Sequence, residues 1–229
     1  MVSLPEILYK SKNALVVRKP VGMPSQSDPS GDTDLMSAAS ALLSELGEDP
    51  RLWLVHRLDR NVGGVIVFAR TRGACAELSS LVSGEGIGKR YLAVCEGCVR
   101  EGEYRDLLFK DSATGKAYIV KTARRGAKEA LMRVKLIAER EGKSLVAVKL
   151  STGRFHQIRA QLSGAGNSIV GDKKYGSRDP RARTPALFAS RLDMKLFEEK
   201  ISVEALPSIE DYPWSIFAAE LSEGIDYDG

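Results

Sequence analysis

Apolar residues in this chain come in short runs cut off by turn-forming residues, and that pattern limits the possible folds more than any other feature. Ala14 to Arg18, Trp53 to Leu58, Gly64 to Arg70 and Tyr91 to Glu96 are rich in Val, Ile, Leu and aromatic side chains. Runs of this length and content predict strands. Leu108 to Asp111 and Ala117 to Thr122 are expected to pair across the Ser112–Gly115 turn. Ala130 to Ala138 and Ser144 to Leu150 read as a hairpin turned at Glu139 to Lys143, and Ala186 to Leu196 and Ile201 to Ala205 as two further strands. Helical spacing holds in three places. Thr33 to Leu46 follows an Asp/Thr start fit to cap it, Thr71 to Leu81 follows the strand ending at Arg70, and Phe155 to Ser163 is closed by Gly164 and Gly166. Many strands and few helices in irregular alternation predict the α+β class, with a mixed, largely antiparallel sheet flanked by helices and loops.

The stretch Lys19 to Asp34 (KPVGMPSQSDPSGDTD) is rich in Pro, Gly, Ser and Asp and reads as a long surface loop. Too few residues precede it to fold alone, so one domain over residues 1–229 is expected. The longest apolar run, Val62 to Ala69, is far too short to span a bilayer, and the opening MVSLPEILYK lacks the pattern of a secretory signal. Three cysteines are odd in number and too few for a disulfide scaffold, which predicts a reduced, cytoplasmic protein. Cys95-Glu96-Gly97-Cys98 lacks companion ligands for a structural zinc site, so no metal is expected. Gly84 to Lys89 is glycine-rich but precedes a strand, which is the wrong context for a nucleotide loop. A net charge of +4 fits a polyanionic partner without requiring one.

The chain has two histidines, each in a compact polar cluster. His56-Arg57-Leu58-Asp59-Arg60 follows the apolar run Leu52 to Val55, and strand ends are where active sites commonly display side chains. Gly153-Arg154-Phe155-His156-Gln157-Ile158-Arg159 enters a helix, where Arg, His and Gln offer donors to an anion or a carboxylate. On spacing alone, two solvated polar turns fit the same pattern.

The cluster HRLDRNVGGVIVFAR resembles the active-site motif of the RluA-type pseudouridine synthases, usually HRLD followed by a Thr-Ser-Gly segment. ILYKSKNALVVRKPVGMP resembles that family's opening strand and KP-G-P loop, and KRYLAVCEG its Lys-x-Tyr strand. LSTGRFHQIRAQLSGAGNSIVGDKKYG resembles its GRTHQIR segment with the following Gly-Asp-x-x-Tyr-Gly. These segments stand in the family's order and extend from about Glu6 to about Leu196. Two positions depart from the pattern. Val62-Gly63 replaces the usual Thr-Ser, and Gln161 stands where the family has a histidine.

The resemblance implies a pseudouridine synthase fold with a central basic cleft. It implies isomerisation of uridine in ribosomal or transfer RNA by a monomeric, cofactor-free enzyme, with no metal and no membrane. Asp59 becomes the carboxylate that works at the ribose, with Arg159 as its partner, and Tyr91 the aromatic group that stacks on the extruded uracil. Arg57 is implied to enter the RNA near the vacated place. His56 and His156 orient neighbouring groups, while Lys89, Arg154 and Gln157 lie in the matching segments as further RNA contacts. The basic runs Lys121 to Lys128 and Lys173 to Arg183 are candidates for gripping phosphates. Two other classes compete: a non-catalytic RNA-binding protein on the same fold, and a glycosidic hydrolase. The hydrolase would want a second carboxylate as acid, and no motif near Asp59 supplies an obvious one.

Overall fold

The structure, a computed structural model, describes residues 5–84 and 86–227. Glu85 of the glycine-rich stretch and the first four residues of the segment read for a secretory signal lie outside them. The chain divides into two compact units, one holding the residues up to Gly88 with Ala189–Leu206, the other Lys89–Phe188 with the residues from Pro207 on.

In the first unit the apolar runs find partners directly. β1 (Glu6–Lys10) pairs with β2 (Ala14–Lys19), and β2 with β4 (Gly63–Ala69), both antiparallel. The two-residue β3 (Trp53–Leu54) lies on β4, and β10 (Leu187–Leu196) follows β4 in the strand order and carries the antiparallel β11 (Glu199–Glu204). Leu15, Val16, Val17, Ile66, Val67 and Phe68 are wholly buried. Burial on both faces of a strand explains why these runs are continuously apolar rather than alternating. α1 (Leu35–Glu45) starts at Asp34, whose side chain accepts the Ser37 N–H at 3.0 Å, and α2 (Arg72–Ser83) starts at Thr71, which accepts the Ala74 N–H at 3.0 Å. The cap at Asp34 is of the side-chain type anticipated from the sequence, and Thr71 supplies a second of the same kind.

The second unit is an antiparallel array in the order β5-β9-β8-β6-β7. Its strands are β5 (Ile87–Glu96), β6 (Gly102–Asp111), β7 (Lys116–Val120), β8 (Ala127–Arg140) and β9 (Lys143–Leu150). The β8–β9 hairpin turns on Glu141 and Gly142, both at positive φ (51° and 67°), as a two-residue hairpin loop demands. α3 (Gln157–Gly164) packs against β6 and β7, and α4 (Ala218–Glu223) lies near the carboxyl end. No helix among the described residues is long and apolar enough to cross a membrane.

Three of the boundaries that differ from the sequence expectations have a visible cause. Trp53 to Leu58 is a strand only at Trp53–Leu54, because hydroxyl and imidazole groups occupy main-chain positions beyond it. α3 begins two residues late because His156 takes a left-handed backbone, φ 53°, which ends the preceding turn. The amino-terminal half of β6 escapes the apolar-run criterion because it alternates exposed and half-buried residues.

Candidate active site

Val55 to Val62 carries the HRLD cluster from β3 to β4, and the Lys19–Asp34 loop holds it by its main chain. Ser25 Oγ donates to the Leu58 carbonyl at 2.9 Å and accepts the Leu58 N–H at 3.2 Å. The Lys19 ammonium donates to the carbonyls of Pro20 (2.9 Å), Met23 (2.6 Å) and Arg60 (2.9 Å). An ammonium has three donors and no acceptor, so three carbonyls complete it. The Gly22 N–H reaches the same Arg60 carbonyl at 2.9 Å, and the Val62 N–H closes the turn on the Asp59 carbonyl at 3.0 Å. Leu58 and Val62 are buried on either side of the half-buried Asp59. The backbone on both flanks of the carboxylate is therefore fixed.

Lys19 is 1 % exposed. Burial pulls its pKa down to about 8, opposed by the nearby charge of Asp59 and assisted by that of Arg60. Gly64 sits at φ +118°, and a Cβ there would lie 2.1 Å from the Ala189 carbonyl oxygen, so only glycine fits. The Val62-Gly63 departure falls in this buried approach, where Val62 contributes apolar volume. His56 Nε2 accepts the Val67 N–H at 3.2 Å, so that nitrogen carries no proton and the ring is an anchor. Arg57 is exposed, whereas Arg60 is drawn to Asp28, Asp32 and Ser30.

The second unit places its candidate residues on β5 and at the start of α3. Lys89 and Tyr91 are two apart on β5 and so share a face; both are half-buried, and burial lowers the Lys89 pKa. The Gly153–His156 segment is tied to β8. Thr152 Oγ1 accepts the Leu131 N–H at 2.9 Å and donates to Gln157 Oε1 at 2.8 Å. Gln157 Oε1 also accepts the Arg154 N–H at 3.0 Å, while Nε2 donates to the Leu131 carbonyl at 3.1 Å. Gln157 is thus buried with both ends of its amide engaged in shaping the turn. Arg154 is exposed, its Nε on the Glu129 carbonyl at 2.8 Å.

Arg159 is held by side chains. Its Nε and Nη2 donate to the two oxygens of Asp172 at 2.6 and 2.8 Å, and its guanidinium lies 4.9 Å from the centre of the Tyr175 ring. Arg159 is 8 % exposed and Asp172 1 %, so this is a buried, bidentate pair. The Tyr175 hydroxyl accepts the Ala117 N–H at 2.7 Å and lies 3.0 Å from His156 Nδ1. His156 stacks on Phe155, with ring centroids 3.9 Å apart, and Lys110 lies over the other ring at 4.7 Å. At the other departure, Gln161 is 1 % exposed and its Nε2 donates to Asp106 at 2.8 Å, while its Oε1 is buried without a hydrogen-bond partner among the described residues.

Sequence reasoning assigned no role to Lys19, Ser25, Asp172 or Tyr175. Lys19 stood in the KP-G-P loop and Asp172 and Tyr175 in the Gly-Asp-x-x-Tyr-Gly segment, whereas Ser25 carried no signal beyond membership of the Lys19 to Asp34 loop. Outside these clusters, Cys95 is fully buried, which pushes its thiol pKa well up, while Cys98 is exposed and raised by a hydrogen bond with Glu139. No group of three or more His, Cys, Asp or Glu among the described residues is arranged to hold a metal ion.

Comparison with known proteins gives these clusters a common context. Residues 13–164 match the family model for RNA pseudouridylate synthase. An uncharacterized RNA pseudouridine synthase of Zymomonas mobilis is 33 % identical over 204 residues, covering 87 % of this chain and 92 % of the relative. One from Bacillus subtilis is 31 % identical over 87 % of this chain and 68 % of its own length. The ribosomal large subunit pseudouridine synthase D of Zymomonas mobilis is 32 % identical over 75 % of this chain, which spans only 56 % of that protein. The solved structure of human RNA pseudouridylate synthase domain containing 4 shares the fold, with a TM-score of 0.76 at 21 % identity, covering 95 % of this chain and 93 % of that one. Matched along most of its length by family model and relatives, the chain belongs to the RNA pseudouridylate synthase family as an enzyme of the RluA type.

Proposed function

We propose that this enzyme isomerises particular uridines of structured ribosomal or transfer RNA, with Asp59 as the reacting carboxylate. The observation that carries the assignment is the double main-chain clamp around Asp59, made by Ser25 on Leu58 and by Lys19 on Arg60. A group that must meet a ribose carbon at a set distance gains from a backbone fixed on both sides. The N1–C1′ bond breaks as the carboxylate attacks C1′ or removes a ribose proton. The base then turns and C5 bonds to C1′, displacing the carboxylate in the first route or with return of the ribose proton in the second, while the C5 proton is lost and N1 gains one. Atoms and electrons balance within the nucleotide, so the reaction needs neither metal nor cofactor.

A paired uridine cannot be reached within a helix and has to leave the stack. Arg57, exposed beside Asp59 in sequence, suits insertion at the vacated place because a planar guanidinium can stack and donate several hydrogen bonds. Tyr91 offers a ring to the extruded base, with Lys89 on the same strand face. Arg159, its plane fixed by Asp172, supplies a rigid positive charge as the partner of the reacting carboxylate. His56 and His156 act as anchors, Gln157 shapes the turn that presents Arg154, and Arg154 contacts RNA. Both units serve one catalytic domain, working as a cytoplasmic monomer.

The test compares wild type with Asp59→Ala on total RNA from a strain lacking the protein, with pseudouridines mapped by carbodiimide-based sequencing. Discrete new sites with wild type alone support the assignment and identify the target. No new sites, with RNA binding intact in both proteins, overturns it in favour of a non-catalytic RNA-binding protein.

A further inference from the structure

In the second unit, β7 is the last strand of the array, and its two faces differ sharply. Leu108 on β6 and Ala117 on β7 belong to the buried cluster with Ala160 and Tyr175, and Ile119 stands opposite Leu108 in register. Side chains alternate along strands, so Phe109 and its register partner Tyr118 project from the opposite face. Tyr118 is 42 % exposed. The Arg124 guanidinium lies 3.9 Å from the centre of the Phe109 ring. A tight turn sets that placement: the Ala127 N–H bonds to the Arg124 carbonyl at 3.0 Å, with Gly126 at φ +88°.

This aromatic pair has a basic rim. Lys121, Arg124 and Arg125 are all exposed within five residues of chain. The acids nearby are committed locally, since Asp111 takes the Ala113 N–H and the Thr114 hydroxyl, and Glu129 pairs with Arg105 at 2.7 Å. An exposed ring flanked by cations fits a single polynucleotide strand, because every base has a face to stack and every linkage a phosphate. A double helix presents phosphates but no base faces.

We propose that the outer face of the β6–β7 hairpin binds an unpaired stretch of the substrate RNA, one base stacking on Tyr118 and the flanking phosphates gripped by Arg124 and its basic neighbours. The inference rests on the RNA-modifying reading above. Such a contact recognises an unpaired stretch of the substrate and selects RNAs by their secondary structure.

The experiment is fluorescence anisotropy with a labelled oligouridylate of about 12 nucleotides and an RNA duplex of about the same length, a size spanned by known single-strand sites. Tyr118→Ala weakens oligouridylate binding roughly tenfold and leaves duplex binding unaltered. Tyr118→Phe, which keeps the ring, restores it. Replacing Lys121 and Arg125 together by Ala weakens both ligands and flattens the dependence on salt. Wild-type protein that ignores the oligouridylate, or Tyr118→Ala binding that is unchanged or falls equally on both ligands, overturns the stacking site. Failure of the catalytic assignment is seen separately, as wild type that makes no pseudouridine while this binding pattern persists.

Discussion

The two units hold their candidate functional residues by opposite means. Asp59 is fixed through main-chain groups: its neighbours' carbonyls and N–H groups are taken by Lys19, Ser25 and Gly22. Arg159 is fixed through side chains, with Asp172 on two of its nitrogens and the Tyr175 ring against its face. The difference follows from reach. A short aspartate goes where its backbone goes, whereas a long arginine must have its plane set at the far end. The largest effect is expected at the reacting group. Asp59→Asn keeps the loop and the shape but not the charge, and should lower pseudouridine formation by roughly 10⁴-fold or more while RNA still binds. Single-turnover kinetics on the mapped target would measure it, and a loss of RNA affinity alone would mean that Asp59 only docks substrate.

Removing the side-chain clamp should come next. Asp172→Asn leaves a buried guanidinium without its compensating charge, and breaking such a pair costs about 3–5 kcal/mol of stability. Below the melting transition, kcat should also fall roughly 100-fold while KM changes little, because the charge is present but misplaced. Asp172→Glu should recover part of kcat. An Asp172→Asn enzyme with wild-type kcat would remove the side-chain half of the contrast.

Loosening the main-chain clamp should have a smaller effect with a distinctive pH signature. Lys19→Met removes a donor shared by three carbonyls and should slow catalysis roughly tenfold by letting the Asp59 loop move. The folded ammonium titrates at about 8 against an ordinary 10.5. Between those values the unfolded chain holds a proton that the folded chain has released, so this group's contribution to stability rises with pH across that window. The burial penalty is fully present below about pH 8 and amounts to roughly 3 kcal/mol. Denaturant titrations of wild type should show that rise relative to Lys19→Met. Parallel stability curves for the two proteins from about pH 7 to about pH 10 would show that burial does not perturb Lys19.

Most strands were legible because their runs are apolar on both faces, as at Leu15 to Val17 and Ile66 to Phe68. Legibility failed where polar groups replace ladder partners. Ser25 and His56 take main-chain positions beyond Leu54, and no local pattern in Trp53 to Leu58 announces that. The family resemblance pointed to Asp59, Tyr91 and Arg159 directly. Lys19 and Asp172 were hidden because each makes its decisive bonds to residues distant in sequence, 41 positions away for Lys19 with Arg60 and 13 for Asp172 with Arg159. Gln157 was the reverse case: it read as a donor to RNA, and the fold turns its amide inward to Thr152, Arg154 and Leu131.

The smallest effect should separate the two things Tyr175 does. Its ring lies against Arg159, while its hydroxyl takes the Ala117 N–H from the edge strand and meets His156 Nδ1. The same hydroxyl shares a hydrogen bond with His156 Nδ1, whose direction follows the tautomer of the ring. Tyr175→Phe keeps the ring and removes the hydroxyl. Ala117 is 3 % exposed, so its N–H would be left buried without this acceptor, at a cost of about 1–3 kcal/mol. If the guanidinium is positioned by Asp172 and by the ring face, kcat should stay within about twofold of wild type while the melting temperature falls by several degrees. Tyr175→Leu, which loses the ring as well, should lower kcat. A Tyr175→Phe enzyme that is as stable as wild type but slow would reverse the assignment, because the hydroxyl and His156 would then be acting on the reaction itself and the clamp on Arg159 would extend to the β7 edge.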